Sequence, residues 1–154
     1  MKNLNYTEGI FFSKWLSKFI NQNLKLGKTF KIEKMIYYNF FLLKKNFNFS
    51  CLFFLFEVLE KIKPSIGLKI FISDLVSKKK PKAIPFLLHT GLQYKKALYW
   101  LWLSIKTRKE NTLLLKVYNE FYDILINESS DSLKKKKEYY KHTISFKTVK
   151  RFKW

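Results

Sequence analysis

Apolar side chains return every three or four positions along most of this chain, and that spacing predicts amphipathic α-helices. The first predicted helix has its apolar face on Phe12, Trp15, Leu16, Phe19, Ile20 and Leu24. The next two faces carry Ile32, Met35, Ile36, Phe40 and Leu43, then Phe49, Leu52, Phe53, Phe56 and Leu59. Two later faces carry Ala97, Leu98, Leu101, Trp102 and Ile105, then Leu114, Val117, Tyr118, Phe121 and Leu125. The period therefore predicts a mainly helical chain.

Helix boundaries can be placed at residues that stop or start a helix. Gly27 follows the first apolar face and suits the left-handed position beyond a helix end. Thr29 is a good residue for opening the second helix, which leaves Lys28 at an exposed corner between the two. Pro64 disfavours helix in the residue before it and so ends the third helix.

One stretch departs from the helical period. Residues 66–90 are rich in β-branched side chains and partly alternate, which predicts a β-hairpin with a lysine-rich tip. We expect a mainly α fold, a single-domain bundle of about six helices with this one inserted hairpin arm. The domain spans 1–154, with an N-terminal arm at 1–11, the hairpin arm at 66–90 and a basic C-terminal helix or tail at 133–154. At this length the chain can close a single hydrophobic core.

The charge of the chain indicates its partner. Basic residues number 31 against 11 acidic ones, a formal net charge of +20. Repulsion on that scale destabilises a compact protein unless a polyanion relieves it. A membrane span needs roughly 18 consecutive apolar residues, and the uncharged apolar stretch from Asn46 to Phe56 is too short and contains asparagines. The N-terminal residues show no secretory signal. We favour nucleic acid, and a basic amphipathic membrane-surface protein is the alternative.

Catalytic chemistry has little support in the sequence. His89 and His142 have no partner at metal-ligand spacing, and the glycines do not cluster into a phosphate-binding loop. Glu57 and Glu60 lie one helical turn apart, as many solvated acidic pairs do. We expect no enzymatic activity, no cofactor and no metal.

The basic residues form groups that look like phosphate contacts on a folded RNA. Most phenylalanines have core spacing, which favours recognition of RNA by shape and backbone over capture of single strands. The candidate contacts are Lys28, Lys78, Lys79, Lys80, Lys82, Lys95, Lys96, Arg108, Lys109, Lys134, Lys135, Lys136, Lys137, Lys150, Arg151 and Lys153.

The choice among basic residues carries information about the genome. Only Arg108 and Arg151 are arginines, and Lys, Asn, Ile, Phe and Tyr are abundant whereas Gly, Pro and Ala are scarce. The abundant residues have A/T-rich codons. This skew indicates mutation pressure in an A/T-rich genome, such as that of an organelle or a reduced organism.

Several short motifs follow one another in a recognisable order along nearly the whole chain. They are Phe19-Ile20-Asn21, Gly27-Lys28, Ile36-Tyr37, the step at Pro64, Lys95-Lys96, Ala97-Leu98, Trp102, Arg108-Lys109, Asn119-Glu120 with Asp123, Lys134-Lys135-Lys136 with Glu138, and Phe152-Lys153-Trp154. In this order the chain resembles the family of small-subunit ribosomal protein seven. It departs from the family in its hairpin, which lacks the usual Gly-Gly turn.

The resemblance implies a structural protein of the small ribosomal subunit without a cofactor. Such a protein binds the 3′ major (head) domain of small-subunit rRNA and helps nucleate assembly of the head. It lies near the exit-site tRNA and the mRNA exit path, contacts neighbouring head proteins and is not a homo-oligomer. The divergence of the chain and its A/T skew favour a mitochondrial ribosome, with a plastid as the alternative. A transient ribosome assembly factor is another alternative.

Overall fold

The computed structural model describes residues 6–22, 28–46, 51–71 and 82–145. Within these ranges the chain forms six α-helices and one two-stranded antiparallel sheet, which confirms the predicted fold class. The elements in chain order are α1 (Tyr6–Gln22), α2 (Thr29–Asn46), α3 (Cys51–Ile62), β1 (Ile66–Phe71), β2 (Lys82–Leu87), α4 (Thr90–Thr107), α5 (Leu113–Tyr122), a short π-helical segment (Asp123–Asn127) and α6 (Asp131–Ser145).

The helix starts follow local capping chemistry. The predicted start at Thr29 is confirmed, and the carbonyl of Lys28 accepts a hydrogen bond from the Ile32 N–H at 3.3 Å. The Thr112 hydroxyl caps α5 by accepting from the Leu115 N–H, which satisfies one of the free donors at a helix start. The predicted stop at Gly27 lies outside the described residues. Helix α1 begins at Tyr6, within the segment assigned to the N-terminal arm.

Helix α3 is the central element, because it packs against α1, α2, α4, α6 and the π-helical segment. Its buried side chains are Phe54, Leu55, Val58, Leu59 and Ile62. The predicted core face was wrong at Phe53 and Phe56, which are only half-buried. The cause is the run FFLF, which is apolar on every side of the helix, so that the helical period alone cannot select the buried face. Phe49 and the side chain of Leu52 lie outside the described part.

An aromatic cluster joins the N-terminal half of the bundle to the C-terminal half. The ring of Phe121 on α5 lies 6.0 Å from that of Phe19 on α1 and 5.8 Å from that of Phe40 on α2, measured between centroids. All three side chains are fully buried. Tilted aromatic pairs at these distances add stabilisation beyond the burial of their area.

The hairpin pairs Ile66 with Leu87 and, at its described outer end, Phe71 with Lys82. Pro85 stands opposite Leu68, and a proline is tolerated there because each strand of a two-stranded sheet is an edge strand. The base of the hairpin is attached to α6, since the Tyr140 hydroxyl accepts a hydrogen bond from the Ser65 N–H at 2.8 Å. The predicted tip, with Lys78, Lys79 and Lys80, lies outside the described residues.

Gly67 lies where the backbone of β1 passes close to the side chain of Leu88. A Cβ added at Gly67 would come within 2.7 Å of Leu88 Cδ2. We expect Gly67→Ala to lower the free energy of unfolding by about 1–3 kcal/mol, because the Leu88 side chain must shift to admit the methyl group. Urea unfolding of the variant measures the change.

Gly91→Ala is the matched control for this prediction. A Cβ added at Gly91, in the first turn of α4, would find only ordinary contact distances, the nearest being 3.5 Å to His89 Nδ1. Alanine favours the helix over glycine, and we expect stabilisation of up to about 1 kcal/mol. A destabilisation of similar size in both variants would show that close approach is not what distinguishes the two sites.

Candidate nucleic-acid interface

Several of the described acidic side chains bind basic residues of the same chain, most of all around Arg108 at the end of α4. Arg108 Nε donates to Glu120 Oε2 at 2.7 Å, and Nη1 donates to Glu110 Oε1 at 2.9 Å. Nη2 donates to a carboxylate oxygen of Asp123. Glu120 is only 1% exposed, and its second oxygen accepts from the Ser132 hydroxyl of α6 at 2.5 Å. We call these four charged residues the Arg108 cluster; with Ser132 it joins α4, α5, the π-helical segment and α6.

The electrostatics of the Arg108 cluster favour the charged forms of Arg108 and Glu110. Burial alone would lower the pKa of the Arg108 guanidinium, but hydrogen bonds to Asp123, Glu120 and Glu110 outweigh burial and raise that pKa. Burial likewise tends to raise the pKa of Glu110, and hydrogen bonds from Asn119 and Arg108 reverse the shift and lower that pKa. All three nitrogens of Arg108 therefore face protein carboxylates, and this geometry favours a role in the fold for Arg108.

The other described ion pairs also use acidic residues within the chain. Glu60 pairs with Lys63, Glu128 with Lys61 and Asp131 with Lys134, at 2.5, 3.6 and 3.0 Å. Lys61 also donates to the carbonyls of Ile124 and Leu125 and so caps the end of the π-helical segment. Because these acids are already paired, the remaining lysines dominate the surface charge.

The predicted lysines of helix α6 fall into two groups, one in contact with the bundle and one exposed to solvent. Lys135 donates to Ser104 Oγ of α4 at 3.3 Å, and Lys136 donates to the backbone carbonyl of Lys61 at 2.6 Å. Burial lowers the pKa of Lys136. Lys134 and Lys137 are exposed and share the outer face with Lys141, one turn further on. The helix therefore uses part of its basic run to dock on the bundle and presents the rest to solvent.

Helix α4 also turns basic side chains outward. Lys95 and Lys106 are exposed, and the helix contains no Asp or Glu. Lys96 is half-buried, with its ammonium 3.7 Å from the ring centroid of Tyr139 on α6, a favourable cation–π geometry. Lys109 follows the helix and is exposed. Within the described ranges, Lys95, Lys106 and Lys109 form no ion pair.

The first turns of α2 add a third basic surface. Lys28 is exposed at the start of the helix, as predicted for the corner residue, and Lys31 and Lys34 are exposed beside it. The sequence interpretation missed Lys31, Lys34 and Lys141 because it selected lysine runs. These lysines could have been identified from their position on the helix face opposite the apolar residues.

Several predicted contacts cannot be located on this surface. Lys78, Lys79, Lys80, Lys150, Arg151 and Lys153 lie outside the described residues. Lys82 opens β2 opposite Phe71, and only its backbone is described.

None of the described helices has both the length and the apolar character needed to cross a bilayer. Among the described residues, no three His, Cys, Asp or Glu side chains are grouped in a way that could hold a metal ion.

Comparison with protein families shows to which family the chain belongs. The family model described as Ribosomal protein S7p/S5e matches residues 2–147, nearly the whole chain. The chain belongs to the ribosomal protein S7p/S5e family. Members of the S7p/S5e family are structural, non-enzymatic proteins of the small ribosomal subunit that bind rRNA beside neighbouring ribosomal proteins. No curated protein sequence matches the chain.

Proposed function

We propose that this S7p/S5e protein binds the 3′ major domain of small-subunit rRNA and helps nucleate assembly of the subunit head. The observation that carries the proposal is a helical core in which three acids are bound by Arg108, while the outward lysines Lys28, Lys95 and Lys109 form no ion pair among the described residues. Such a surface attracts closely packed phosphates, and the counterions released on binding supply much of the affinity. The whole chain, 1–154, acts as one rRNA-binding domain.

The lysines divide into contact residues and scaffold residues in this proposal. Phosphate contacts come from the exposed group and from the predicted residues of the hairpin arm and C-terminal tail. These are Lys28, Lys95, Lys109, Lys134, Lys137, Lys78, Lys79, Lys80, Lys82, Lys150, Arg151 and Lys153. Lys96, Lys135 and Lys136 support the same surface while they hold α6 against its neighbours. Arg108 keeps the ends of α4 and α5 in place, and we assign it to the scaffold.

The proposed place of the chain in the ribosome follows the family resemblance. We infer that the hairpin arm, residues 66–90, leans toward the exit-site tRNA and the mRNA exit path, and that head proteins surround the bundle. The A/T skew and the divergence of the chain support a mitochondrial ribosome, and the other organelle to test is the plastid.

Binding to separate rRNA domains tests the proposal directly. The chain is titrated onto transcripts of the 3′ major domain and of the 5′ domain of the same rRNA over a series of salt concentrations. We expect tighter binding to the 3′ major domain and a steep fall of log K with log salt, because each neutralised phosphate adds about 0.9 to the slope. Equal affinity for both domains, or a flat salt plot, would refute it. Preferential binding to anionic vesicles would favour the membrane-surface alternative.

Lys28→Glu tests one phosphate-binding residue within the same measurement. We expect weaker binding to the 3′ major domain and a salt slope lower by about one unit, since one phosphate is no longer neutralised. Lys45→Glu is the matched control, because Lys45 is an exposed lysine at the other end of the same helix and the change in charge is identical. If the two variants lose the same affinity, Lys28 acts only through net charge.

Sedimentation distinguishes a resident ribosomal protein from an assembly factor and identifies the organelle. Organelle extracts are separated on high-magnesium gradients, and the protein is followed with an antibody. We expect it to remain with mature small subunits from mitochondria. Detection only on precursor particles would identify an assembly factor, and detection with plastid subunits would correct the location.

A further inference from the structure

The outer face of α4 carries two aromatic side chains between its exposed lysines. Residues 95, 99, 102 and 106 are spaced by four, three and four, which places them along one face of a helix. We call Lys95, Tyr99, Trp102 and Lys106 the α4 stripe. Tyr99 is 51% exposed and Trp102 is half-buried, with their ring centroids 6.2 Å apart and their planes inclined by 32°. An aromatic pair left at the surface of a well-packed bundle suggests a binding partner.

The charges beside these rings favour an anionic partner. The ammonium of Lys106 lies 5.1 Å from the centroid of the Trp102 ring. Lys95 is exposed one turn before Tyr99, and α4 contains no carboxylate that could compete for either lysine. From residue 95 to residue 106 the helix rises about 16 Å. That length corresponds to between four and five stacked nucleotides at about 3.4 Å each.

Paired RNA cannot use the rings of this stripe. In an A-form duplex the faces of the bases are covered by their neighbours, and the protein meets only base edges, 2′-hydroxyls and phosphates. An unpaired segment exposes the faces of its bases, which stack on aromatic side chains while lysines follow the phosphates. The combination of two rings and two flanking cations therefore fits an unpaired strand better than a duplex.

We propose that the α4 stripe binds an unpaired segment of RNA, with bases stacked on Tyr99 and Trp102 and phosphates paired with Lys95 and Lys106. This inference rests on the proposed rRNA binding and adds to it a preference for single strands at one face. It differs from the expectation, made from the sequence, that the protein recognises RNA by shape and backbone rather than by capture of single strands.

The test measures binding of the intact protein to a ten-nucleotide oligouridine and to an RNA duplex of ten base pairs over a salt series. For Tyr99→Leu we expect roughly 5- to 150-fold weaker binding to the single strand, the range typical for removal of one stacking ring. The salt slope for the single strand and the affinity for the duplex should not change, because every lysine that neutralises a phosphate is kept. Tyr99→Phe keeps the ring and should bind like the original chain.

Two more variants complete the design. In Lys95→Gln/Lys106→Gln the salt slope for the single strand should fall by about 0.7 for each phosphate that is no longer neutralised. Leu115→Ala is the control, since Leu115 is 46% exposed on α5 and has no lysine three or four residues away on its helix face. We expect Leu115→Ala to leave binding of the single strand unchanged. Thermal unfolding of each variant verifies that the fold is intact.

The outcomes separate this proposal from the proposed function. If Tyr99→Leu binds the single strand as tightly as the original chain, or loses equal affinity for strand and duplex, the stripe proposal is overturned. Retained, salt-dependent binding to the 3′ major domain would then leave the proposed function intact. A photo-crosslinking phenylalanine analogue at position 99 provides a check in assembled subunits. A crosslink to rRNA supports the proposal, and one to a neighbouring protein overturns it.

Discussion

Replacement of Arg108 by methionine should lower the free energy of unfolding by about 3–5 kcal/mol, the usual cost of breaking a buried ion pair. Glu120 is the reason for so large an effect. Its carboxylate is 1% exposed and would remain buried, with the Ser132 hydroxyl but without its cation. Glu110 and Asp123 would lose the same partner. Urea unfolding, followed by the circular dichroism of the helices, measures the change.

The adjacent residue supplies the control for this prediction. Lys109→Met removes the same charge from an exposed side chain that forms no described ion pair, and we expect a change within about 0.5 kcal/mol. The double variant Arg108→Met/Glu120→Leu should recover much of the lost stability, because an apolar pair of similar volume can replace a buried ion pair. Equal effects of Arg108→Met and Lys109→Met would contradict the role of the Arg108 cluster.

Arg108→Met and Lys109→Met also distinguish a residue that supports the fold from one that contacts RNA. We expect Lys109→Met to lower the salt slope for the 3′ major domain at unchanged stability. Arg108→Met should instead lower the stability and leave the salt slope unchanged, since its three nitrogens face carboxylates and not solvent.

Phe121→Ala should lower the free energy of unfolding by about 3–5 kcal/mol, because it opens a cavity at the junction of three helices. The ring of Phe121 is fully buried and contacts Phe19 and Phe40, so that the substitution removes both aromatic pairs together. The stability of small domains is about 5–15 kcal/mol in total. The variant should therefore unfold at a much lower urea concentration. The slope of its free energy of unfolding against urea concentration should be similar to that of the original chain.

Leu115→Ala on the same helix is the matched control for Phe121→Ala. Leu115 is 46% exposed, and its truncation should change the stability by no more than about 1 kcal/mol. A loss equal to that of Phe121→Ala would show that the aromatic junction is not what distinguishes the two positions.

The sequence predicted that the candidate site is basic, but it did not predict which basic residues face the solvent. The excess of lysine and the shortage of acids identified a polyanion as the partner without any coordinates. Arg108 and Lys109 were then indistinguishable, because both are basic residues at the end of one helix. Two of the three acids that bind Arg108 are Glu120 of α5 and Asp123 of the π-helical segment, and only the packing of α4 against α5 brings them within reach.

The aromatic residues of α4 show the same limit. Trp102 was assigned to the core by its spacing, yet Trp100 is the buried tryptophan, and Trp102 stands at the surface beside Tyr99. A helix with apolar side chains on most of its circumference offers several possible core faces. Its neighbours decide which face is buried, and so they also decide which aromatic rings remain available to a ligand.

The sequence by itself determined the mainly helical class, the single hairpin, the start of α2 and the basic character of the surface, because these depend on local spacing and on charge composition. The tertiary structure decided which face of α3 enters the core, which lysines of α6 point outward and why Arg108 is bound by Glu120 and Asp123. Each of these depends on contacts between residues far apart in the chain. Local periodicity carries no information about such contacts, since several arrangements of the helices would satisfy the same pattern.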